Sequence, residues 1–354
     1  MRRMKTVITL FGFMFCTAGC GNAGAENGDR RPVTDADDSL EVYYNPVIRV
    51  SAPDPAAIRT ADGYYYLYAT ESIRNLPIFR SKDMVEWEEI GTAFTDKTRP
   101  DFLPDNKDVK EHAHIWAPEI RHIKDKYVLF YSLAQWGNHW VSTVGYAVSD
   151  RPEGPFEVKG KVFDSREVNV ENSIDAFFYE EKGRYYMLWG SFFGLYLMEL
   201  DMTDDLRISP RLETKQRIAG NAYEAVNLWK RDGYYYLFAS VGSCCEGKNS
   251  TYTTVVGRSK ELSGPYTDRA GRRMLDNRHE IVLRKNSRFV GTGHNSVLME
   301  DDEKNTWMLY HAFELERLEA HRQVLLDWVL WDEEGWPYVK GQEPSYGAPR
   351  PVIK

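Results

Sequence analysis

The sequence has few cysteines, no excess of positive charge and no long apolar run. After Cys20 only Cys244 and Cys245 remain, and adjacent cysteines cannot join distant segments, so a fold held together by disulfides is excluded. We expect these two to be small buried side chains. A net charge of −8 argues against nucleic-acid phosphate as a partner and favours a neutral substrate. No segment has the periodicity of a long amphipathic helix, which argues against a helical bundle.

The first twenty residues are typical of an export signal. Residues 1–5 are basic, and the apolar stretch 7–15 is too short to span a bilayer. The following Thr17-Ala18-Gly19-Cys20 resembles the lipobox of bacterial lipoproteins. We therefore predict a lipoprotein signal peptide over residues 1–20, a lipid anchor at Cys20 on the outer membrane, at its periplasmic or cell-surface face, and a flexible tether over residues 21–40. An ordinary signal peptide with an incidental cysteine is the alternative.

What the sequence has in abundance is aromatic residues, 14% of the chain, many of them in one repeated unit. Each unit has a short strand, a turn such as Asp232-Gly233 or Lys182-Gly183, an aromatic strand ending in a small residue, and a third strand. The aromatic strands are residues 64–69, 127–132, 185–190, 234–239 and 307–312. Radial repetition of such units predicts an all-β, single-domain, five-bladed β-propeller over residues 41–354. A two-domain β-sandwich is the alternative.

The start of each unit carries the side chains that point to chemistry. The first strand of a propeller blade faces the central axis, so residues at its start converge although they lie far apart in sequence. Counting back from the aromatic strands gives Asp54, Asp175 and Glu224 at matching positions, with Trp116 in the second unit and His294 in the fifth. One acid at a strand start is usually solvated, but three in matching register predict a site on the axis.

Three carboxylates around one pocket suit the hydrolysis of a glycosidic bond. One ionised carboxylate activates water as the general base, and a second, kept protonated by its surroundings, donates a proton to the leaving oxygen. The third orients the acid and raises its pKa through like charge. If the configuration is inverted, the acid and the base lie ~6.5–9.5 Å apart, because water must fit between them.

These residues resemble the signature of glycoside hydrolase family 43, and the resemblance extends over about residues 45–352. It rests on Asp54-Pro55, Trp116-Ala117-Pro118, Ile174-Asp175 and Glu224-Ala225. The resemblance implies a five-bladed propeller with an inverting mechanism, in which Asp54 is the general base and Glu224 the general acid. Asp175 would modulate the pKa of the acid and orient it, and Trp116 would stack on a sugar ring.

Within this family the chain is similar to endo-α-1,5-L-arabinanases. The similarity rests on the segment 244–252 and on 291–296, where arabinanases have a histidine that binds a metal ion, usually calcium, largely through waters. It implies a Ca²⁺ ion near His294 with an electrostatic role. Asn172 and Ser191 are expected to line the same pocket and to bind substrate.

The leading hypothesis is a monomeric, exported enzyme that cleaves internal α-1,5-L-arabinofuranosidic bonds of arabinan, a side chain of pectin. An exo-acting α-L-arabinofuranosidase or β-xylosidase would use the same chemistry in a closed pocket instead of an open groove. The segments 95–112 and 243–254 are the insertions that can build either wall. A carbohydrate-binding propeller without catalysis is the alternative from another class, and the presence of all three carboxylates argues against it.

Overall fold

Antiparallel sheets of four or five strands recur five times in residues 41–102 and 111–354, which the computed structural model describes. Each sheet is formed by one continuous stretch of chain, and its first strand lies at one edge. The all-β, five-bladed β-propeller is therefore confirmed, and the two-domain β-sandwich is wrong. The predicted signal peptide, its anchor at Cys20 and the tether lie outside the described residues. Within the described ranges no helix is long and apolar enough to cross a membrane.

The strands follow the order of the chain. After β1 (Val42–Tyr44), the first blade contains β2 (Ala56–Arg59), β3 (Tyr65–Tyr68), β4 (Pro77–Ser81) and β5 (Trp87–Thr92). The second contains β6 (Ala113–Ile123), β7 (Lys126–Gln135), β8 (Thr143–Ser149) and β9 (Glu157–Asp164). The third contains β10 (Phe177–Glu181), β11 (Arg184–Trp189), β12 (Leu195–Met202), β13 (Ile208–Pro210) and β14 (Gln216–Ala219).

The fourth blade contains β15 (Tyr223–Arg231), β16 (Tyr234–Val241), β17 (Thr253–Ser259) and β18 (Glu280–Leu283). The fifth contains β19 (Phe289–Gly293), β20 (Met299–Glu300), β21 (Thr306–Glu314), β22 (Arg322–Trp331) and β23 (Pro337–Val339), and β24 (Gly347–Pro349) follows. Helices that lie wholly within the described ranges include short 3₁₀ turns at His139–Val141, Leu212–Thr214, Gly247–Asn249, Met274–Asp276, Leu318–Ala320 and Lys340–Gln342.

Tight turns join the first two strands of the blades, as their sequence predicts. Asp232 and Gly233 have φ angles of 49° and 77°, and Lys182 and Gly183 have φ angles of 52° and 74°. Positive φ at both central residues matches the right-handed twist of the flanking strands, which is why such hairpins favour glycine and short polar residues. The turns hold each aromatic strand in register against the inner strand.

Hydrophobic clusters fill the space between neighbouring blades, and the aromatic strands supply much of their volume. Between the second and third blades, for example, the rings of Phe163 and Trp189 lie 4.8 Å apart. One cluster contains both Tyr65 of the first blade and Trp307 of the fifth. The ring of blades is therefore closed by the same kind of packing that joins consecutive blades.

The two ends of the propeller are also fastened to each other. Strand β1 pairs antiparallel with β24. The side chain of Asn45, only 1% exposed, donates to the carbonyl of Leu326 at 2.8 Å and accepts from its N–H at 2.9 Å. The buried backbone of β22 thus depends on a side chain from the start of the propeller.

Candidate active site

One non-glycine residue with a positive φ angle kinks the chain in or next to each inner strand. It lies two residues before β2 and β10, inside β6 and β15, and directly after β19 rather than at its start, where the sequence predicted it. In three blades the kink accompanies a shift of register in the pairing with the next strand. Bulges of this kind re-aim side chains, and non-glycine residues adopt a positive φ only where the surroundings hold them there. The kinked residues are Asp54 (56°), Ala117 (42°), Asp175 (59°), Ala225 (56°) and His294 (47°).

A ring of hydrogen bonds connects these kinks around the axis. In each case the backbone N–H of the kinked residue donates to a side chain of the preceding blade, and most acceptors lie near the end of an aromatic strand. The bonds join Asp54 to His311 Nδ1 (3.1 Å), Ala117 to Thr70 Oγ1 (2.7 Å), Asp175 to Ser132 Oγ (3.1 Å), Ala225 to Asp175 Oδ2 (2.9 Å) and His294 to Ser240 Oγ (2.9 Å). The small residues that end the aromatic strands thus hold the inner strands in place.

The ring departs from its pattern between the third and fourth blades. There the Asp175 carboxylate accepts the backbone N–H of Ala225, so the hydroxyl of Ser191, at the end of the aromatic strand, does not make this bond. Ser191 instead donates to Glu224 Oε2 at 2.7 Å, and Asn172 Nδ2 donates to Ser191 Oγ at 2.9 Å. The break in symmetry thus links Asp175 to the Glu224 strand and supplies Glu224 with an ordered donor.

The register of the fourth blade differs from the sequence alignment by one residue. Asp54 and Asp175 are themselves kinked residues, but in the fourth blade the kinked residue is Ala225, and Glu224 precedes it. Trp116 precedes the kinked Ala117 in the same way. The alignment of Glu224 with the two aspartates was wrong by one position, because a bulge adds a residue that counting along the sequence does not reveal.

All the site residues that the sequence predicts line one cleft of about 690 Å³. A cavity of this size is typical of small-ligand sites. The predicted residues in its wall are Asp54, Trp116, Asn172, Asp175, Ser191, Glu224 and His294. Ser191 is almost fully buried, however, and its hydroxyl contacts Asn172 and Glu224. It therefore acts on the carboxylate more directly than on a ligand in the cleft.

Asp54 is buried beside two positive groups. Arg322 donates to Asp54 Oδ1 at 3.0 Å, Nδ1 of His294 lies 3.2 Å from the same oxygen, and Thr70 donates to Oδ2 at 2.5 Å. Burial alone would raise the pKa of Asp54, but the charges of Arg322 and His294 outweigh it and hold the pKa well below its usual range. Asp54 is therefore ionised at neutral pH.

The neighbouring His311 does not add to this positive charge. Burial lowers the pKa of His311 to about 4, so its ring is neutral at pH 7. Its Nδ1 accepts the backbone N–H of Asp54 at 3.1 Å and lies 3.2 Å from Asp54 Oδ1. The ring also stacks on Tyr252 at 5.6 Å. His311 thus fixes the backbone of Asp54, and Arg322 and His294 supply the charge.

Glu224 and Asp175 have the opposite electrostatic setting. Burial, and after it the charge of Asp175, raises the pKa of Glu224 to about 7, although hydrogen bonds from Tyr252 and Ser191 oppose this rise. Burial likewise raises the pKa of Asp175 to about 6. Two carboxyl groups that interact this closely share their protons, so the pair retains a proton at a pH where Asp54 is fully ionised. One cleft thus offers both a carboxylate base and a carboxylic acid.

The predicted calcium ligand, His294, is partly buried and faces acids. Burial would lower the pKa of His294, but the charges of Asp54 and Asp175 outweigh it and raise the pKa to about 9. Among the described residues, no three His, Cys, Asp or Glu side chains form a group that could hold a metal ion. The residues present therefore fit at most a largely hydrated ion that binds once the imidazole has lost its proton, and calcium at His294 stays a prediction.

Aromatic rings form the upper walls of the cleft. Trp116 packs edge-on against Trp136 at 6.1 Å, and Trp136 is 76% exposed. Phe192 also lines the cleft and is 38% exposed. Rings that remain this exposed above a polar floor can stack on the apolar faces of a ligand, which is how proteins commonly bind sugars.

The sequence interpretation missed several residues of the cleft. Arg322 and Trp136 line it and His311 lies buried behind it, and nothing in the spacing of these three residues predicts their positions. Tyr252 was read only as part of a similar segment. A hydroxyl residue at or directly after the end of four aromatic strands was a usable signal, because a hydroxyl there can bridge two blades. These residues are Thr70, Ser132, Ser191 and Ser240.

The expectation for the adjacent cysteines was wrong. Cys244 and Cys245 form a disulfide with each other, and they lie at the cleft, with Cys245 exposed and Cys244 partly so. The sequence placed them correctly outside the framework of the fold, since the bond joins neighbours. It did not reveal that the loop turns both side chains toward the cleft.

An axial cleft that holds an ionised carboxylate, a carboxyl pair that retains a proton and exposed aromatic walls has the groups that a sugar-cleaving hydrolase on a β-propeller requires. Comparison with known families agrees, since the profile of "Glycosyl hydrolases family 43" matches residues 43–337. The chain therefore belongs to glycosyl hydrolase family 43 and is a glycoside hydrolase.

Among the proteins that this chain resembles are an arabinofuranosidase and several arabinanases. The chain is 33% identical to an extracellular exo-α-(1→5)-L-arabinofuranosidase of Cellvibrio japonicus, over 83% of this chain and 88% of the relative. It is 30% identical to an extracellular endo-α-(1→5)-L-arabinanase of Bacillus subtilis, over 80% of this chain and 86% of the relative. The structure of the Cellvibrio cellulosa α-L-arabinanase with arabinohexaose aligns with a TM-score of 0.72 and 32% identity, covering 83% and 96% of the two chains.

Proposed function

We propose that this protein hydrolyses α-1,5-linked L-arabinofuranosyl chains of arabinan, with inversion at the anomeric carbon, and that it cuts internal bonds. The observation that carries the proposal is the contrast in protonation within one cleft. Asp54 is held ionised by Arg322 and His294, whereas burial and the Asp175 charge keep a proton on Glu224 up to about pH 7. A pair of carboxyl groups with separated pKa values is what acid–base cleavage of a glycoside requires.

Asp54 is the general base in this mechanism. It takes a proton from a water molecule that attacks the anomeric carbon, and its fixed partners keep it from rotating away. Its low pKa makes it a weak base, which suits a reaction in which most of the positive charge develops on the sugar. Thr70 and Arg322 each occupy one carboxylate oxygen, so the water binds through the remaining lone pairs.

Glu224 is the general acid. It donates its proton to the glycosidic oxygen as the bond breaks, and the hydrogen bond from Ser191 to Oε2 stabilises the carboxylate that remains. The negative charge of Asp175 raises the pKa of Glu224 and so keeps the proton on Glu224 until this step. Asp175 also fixes the strand that carries Glu224, since it accepts the N–H of the next residue.

The substrate assignment is supported by the relatives. The exo- and endo-acting enzymes named above act on α-(1→5)-linked arabinofuranosyl chains according to their names, and each covers most of this chain. These relatives are also named as extracellular, which supports export. The lipid anchor at Cys20 remains a prediction from the first twenty residues. A calcium ion beside His294 would supply fixed positive charge near the acids.

Internal cleavage and release from chain ends are the two modes to be separated. The arabinanase-like segment 244–252 favours internal cleavage, whereas the relative with 33% identity is an exo-enzyme. The deciding experiment is chromatography of the early products from debranched linear arabinan. Arabino-oligosaccharides of mixed length support internal cleavage, and a single short product favours exo action. Absence of product, with activity on xylan instead, would refute the arabinan assignment.

A binding protein without turnover is tested in the same assay. If the wild type binds arabino-oligosaccharides but releases no reducing ends from any polysaccharide tested, the catalytic mechanism is wrong. Inversion is tested separately by NMR, since the first product of an inverting enzyme has the opposite anomeric configuration to the substrate. Retention of configuration would refute the roles given to Asp54 and Glu224.

A further inference from the structure

The disulfide between Cys244 and Cys245 lies on the rim of the cleft that holds the three acids. A disulfide between neighbours closes a small ring, and its two sulfur atoms carry no hydrogen-bond donor. Its sulfur atoms are polarisable and pack well against C–H groups and rings. Such a surface at the cleft has no evident role in the fold, because the bond constrains only two adjacent residues.

The disulfide belongs to the blade of the general acid. Glu224 lies opposite Ser240 in the pairing of β15 with β16, and Tyr223 lies opposite Val241. The chain leaves β16 at Val241 and reaches Cys244 three residues later. The disulfide is therefore carried on the strand next to that of Glu224.

The loop that carries the disulfide is held in a fixed conformation. The carbonyl of Ser243 accepts the N–H groups of Thr251 and Tyr252, both at 3.0 Å, and the Ser243 N–H donates to Thr251 Oγ1 at 3.0 Å. The Glu246 N–H donates to Ser250 Oγ at 2.9 Å. A surface fixed before the ligand arrives loses little entropy on binding.

Tyr252 connects this loop to the acid. Its side chain is 1% exposed, its ring stacks on His311, and its hydroxyl hydrogen-bonds to Glu224. The loop is thus anchored at one end beside the proton donor and presents the disulfide at the other. During cleavage the acid protonates the oxygen of the leaving sugar, so that sugar lies on the side of the cleft where Glu224 stands.

We propose that the Cys244–Cys245 disulfide is a sugar-binding surface of the leaving-group subsite and packs against the apolar face of a furanose ring. The inference rests on the proposed function and adds to it the surface that contacts the leaving sugar. It explains why the two sulfur atoms lie exposed at a cleft that also holds the three acids. The sugar on the other side of the scissile bond does not contact the disulfide.

The test compares the wild type with the double variant C244A/C245A in two measurements. The KM for arabinohexaose depends on the leaving-group subsite, whereas the inhibition constant of free L-arabinose reports the subsite of the cleaved sugar. The variant is expected to raise the KM roughly five- to tenfold, the loss for about 50 Å² of apolar contact. The inhibition constant of arabinose stays within a factor of two. Reduction of the wild type with a phosphine, verified by thiol alkylation, is expected to raise the KM in the same direction.

The control is Ser250→Ala, which removes the brace to Glu246 and keeps both cysteines. If Ser250→Ala raises the KM as much as the double variant does, the loop fold matters and not the disulfide surface, and the inference is wrong. An unchanged KM in the double variant, or an equal rise in the inhibition constant of arabinose, also overturns it. A wild type that does not hydrolyse arabinohexaose refutes the proposed function itself, and this inference with it.

Discussion

Ser191→Ala gives a quantitative test of the electrostatics around Glu224. Ser191 donates to Glu224 Oε2 at 2.7 Å, and this bond favours the ionised carboxylate. The substitution removes the bond without adding volume, and Tyr252 remains as a second partner. Because the ionised form loses a stabilising partner, the pKa of Glu224 must rise, and the acid stays protonated to a higher pH.

The size of the shift follows from the strength of the bond. A hydrogen bond to a charged group contributes about 1.5–3 kcal/mol, and one pKa unit corresponds to about 1.4 kcal/mol. The hydroxyl also contacts the neutral carboxyl group, so the difference between the two states lies near the lower end. We expect the pKa of Glu224 to rise by about one unit, from about 7 to about 8.

The assay is kcat/KM for linear arabinan between about pH 5 and 9.5, because this ratio reports the pKa values of the free enzyme. The wild type loses activity above pH 7 as Glu224 ionises, and the variant loses it about one unit higher. Ser165→Ala is the matched control, since this fully buried serine bonds the backbone of His139 and Ser173 and no carboxylate. An alkaline limb that stays in place, or that moves to lower pH, would refute the reasoning.

Three further outcomes follow from the structure. Asp175→Asn removes the negative charge beside Glu224, while the amide oxygen can still accept the Ala225 N–H. The pKa of Glu224 should therefore fall, and the alkaline limb of the pH profile should move to lower pH, opposite to the effect of Ser191→Ala. A move of that limb to higher pH would contradict the coupling between the two carboxyl groups. Trp136→Ala removes an exposed ring from the cleft wall and should raise the KM for linear arabinan about fivefold, with kcat within a factor of two; steady-state kinetics that show the reverse split would reject a binding role. Asn45→Ala leaves the buried N–H of Leu326 without its partner, whereas the Tyr43 hydroxyl still donates to the carbonyl. The free energy of unfolding should fall by about 1–3 kcal/mol. A change below about 0.5 kcal/mol in urea titrations would show that water replaces the side chain.

The fold was predictable because it repeats. Five aromatic strands, each preceded by a turn sequence, predict five similar hairpins. Each of these units must bury its aromatic rings against a neighbouring unit, and a radial arrangement allows all five to do so. The three acids were predictable for the same reason, since a propeller brings the start of every inner strand to one axis. The repeat in the sequence therefore predicted that Asp54, Asp175 and Glu224 lie at one cleft.

The partners of the acids were not predictable from the sequence. Arg322 reaches Asp54 from a strand 268 positions further along the chain, and no local pattern records such a contact. The bulge at Ala225 shifted the fourth blade by one residue, because bulges arise from pairing with a neighbour and leave no spacing signal. The Cys244–Cys245 bond and its exposure likewise depend on the conformation of the loop, which the presence of two adjacent cysteines does not specify.

The central claim is that Glu224 donates the proton that breaks an arabinan chain, and one comparison tests it most directly. The measurement is the rate at which reducing ends are released from linear arabinan by Glu224→Gln relative to the wild type. Glutamine keeps the shape and can still accept from Ser191, but it has no acidic proton. We predict a rate lower by about 10²–10⁴-fold with the fold intact. A rate within tenfold of the wild type would contradict the assignment of Glu224 as the general acid.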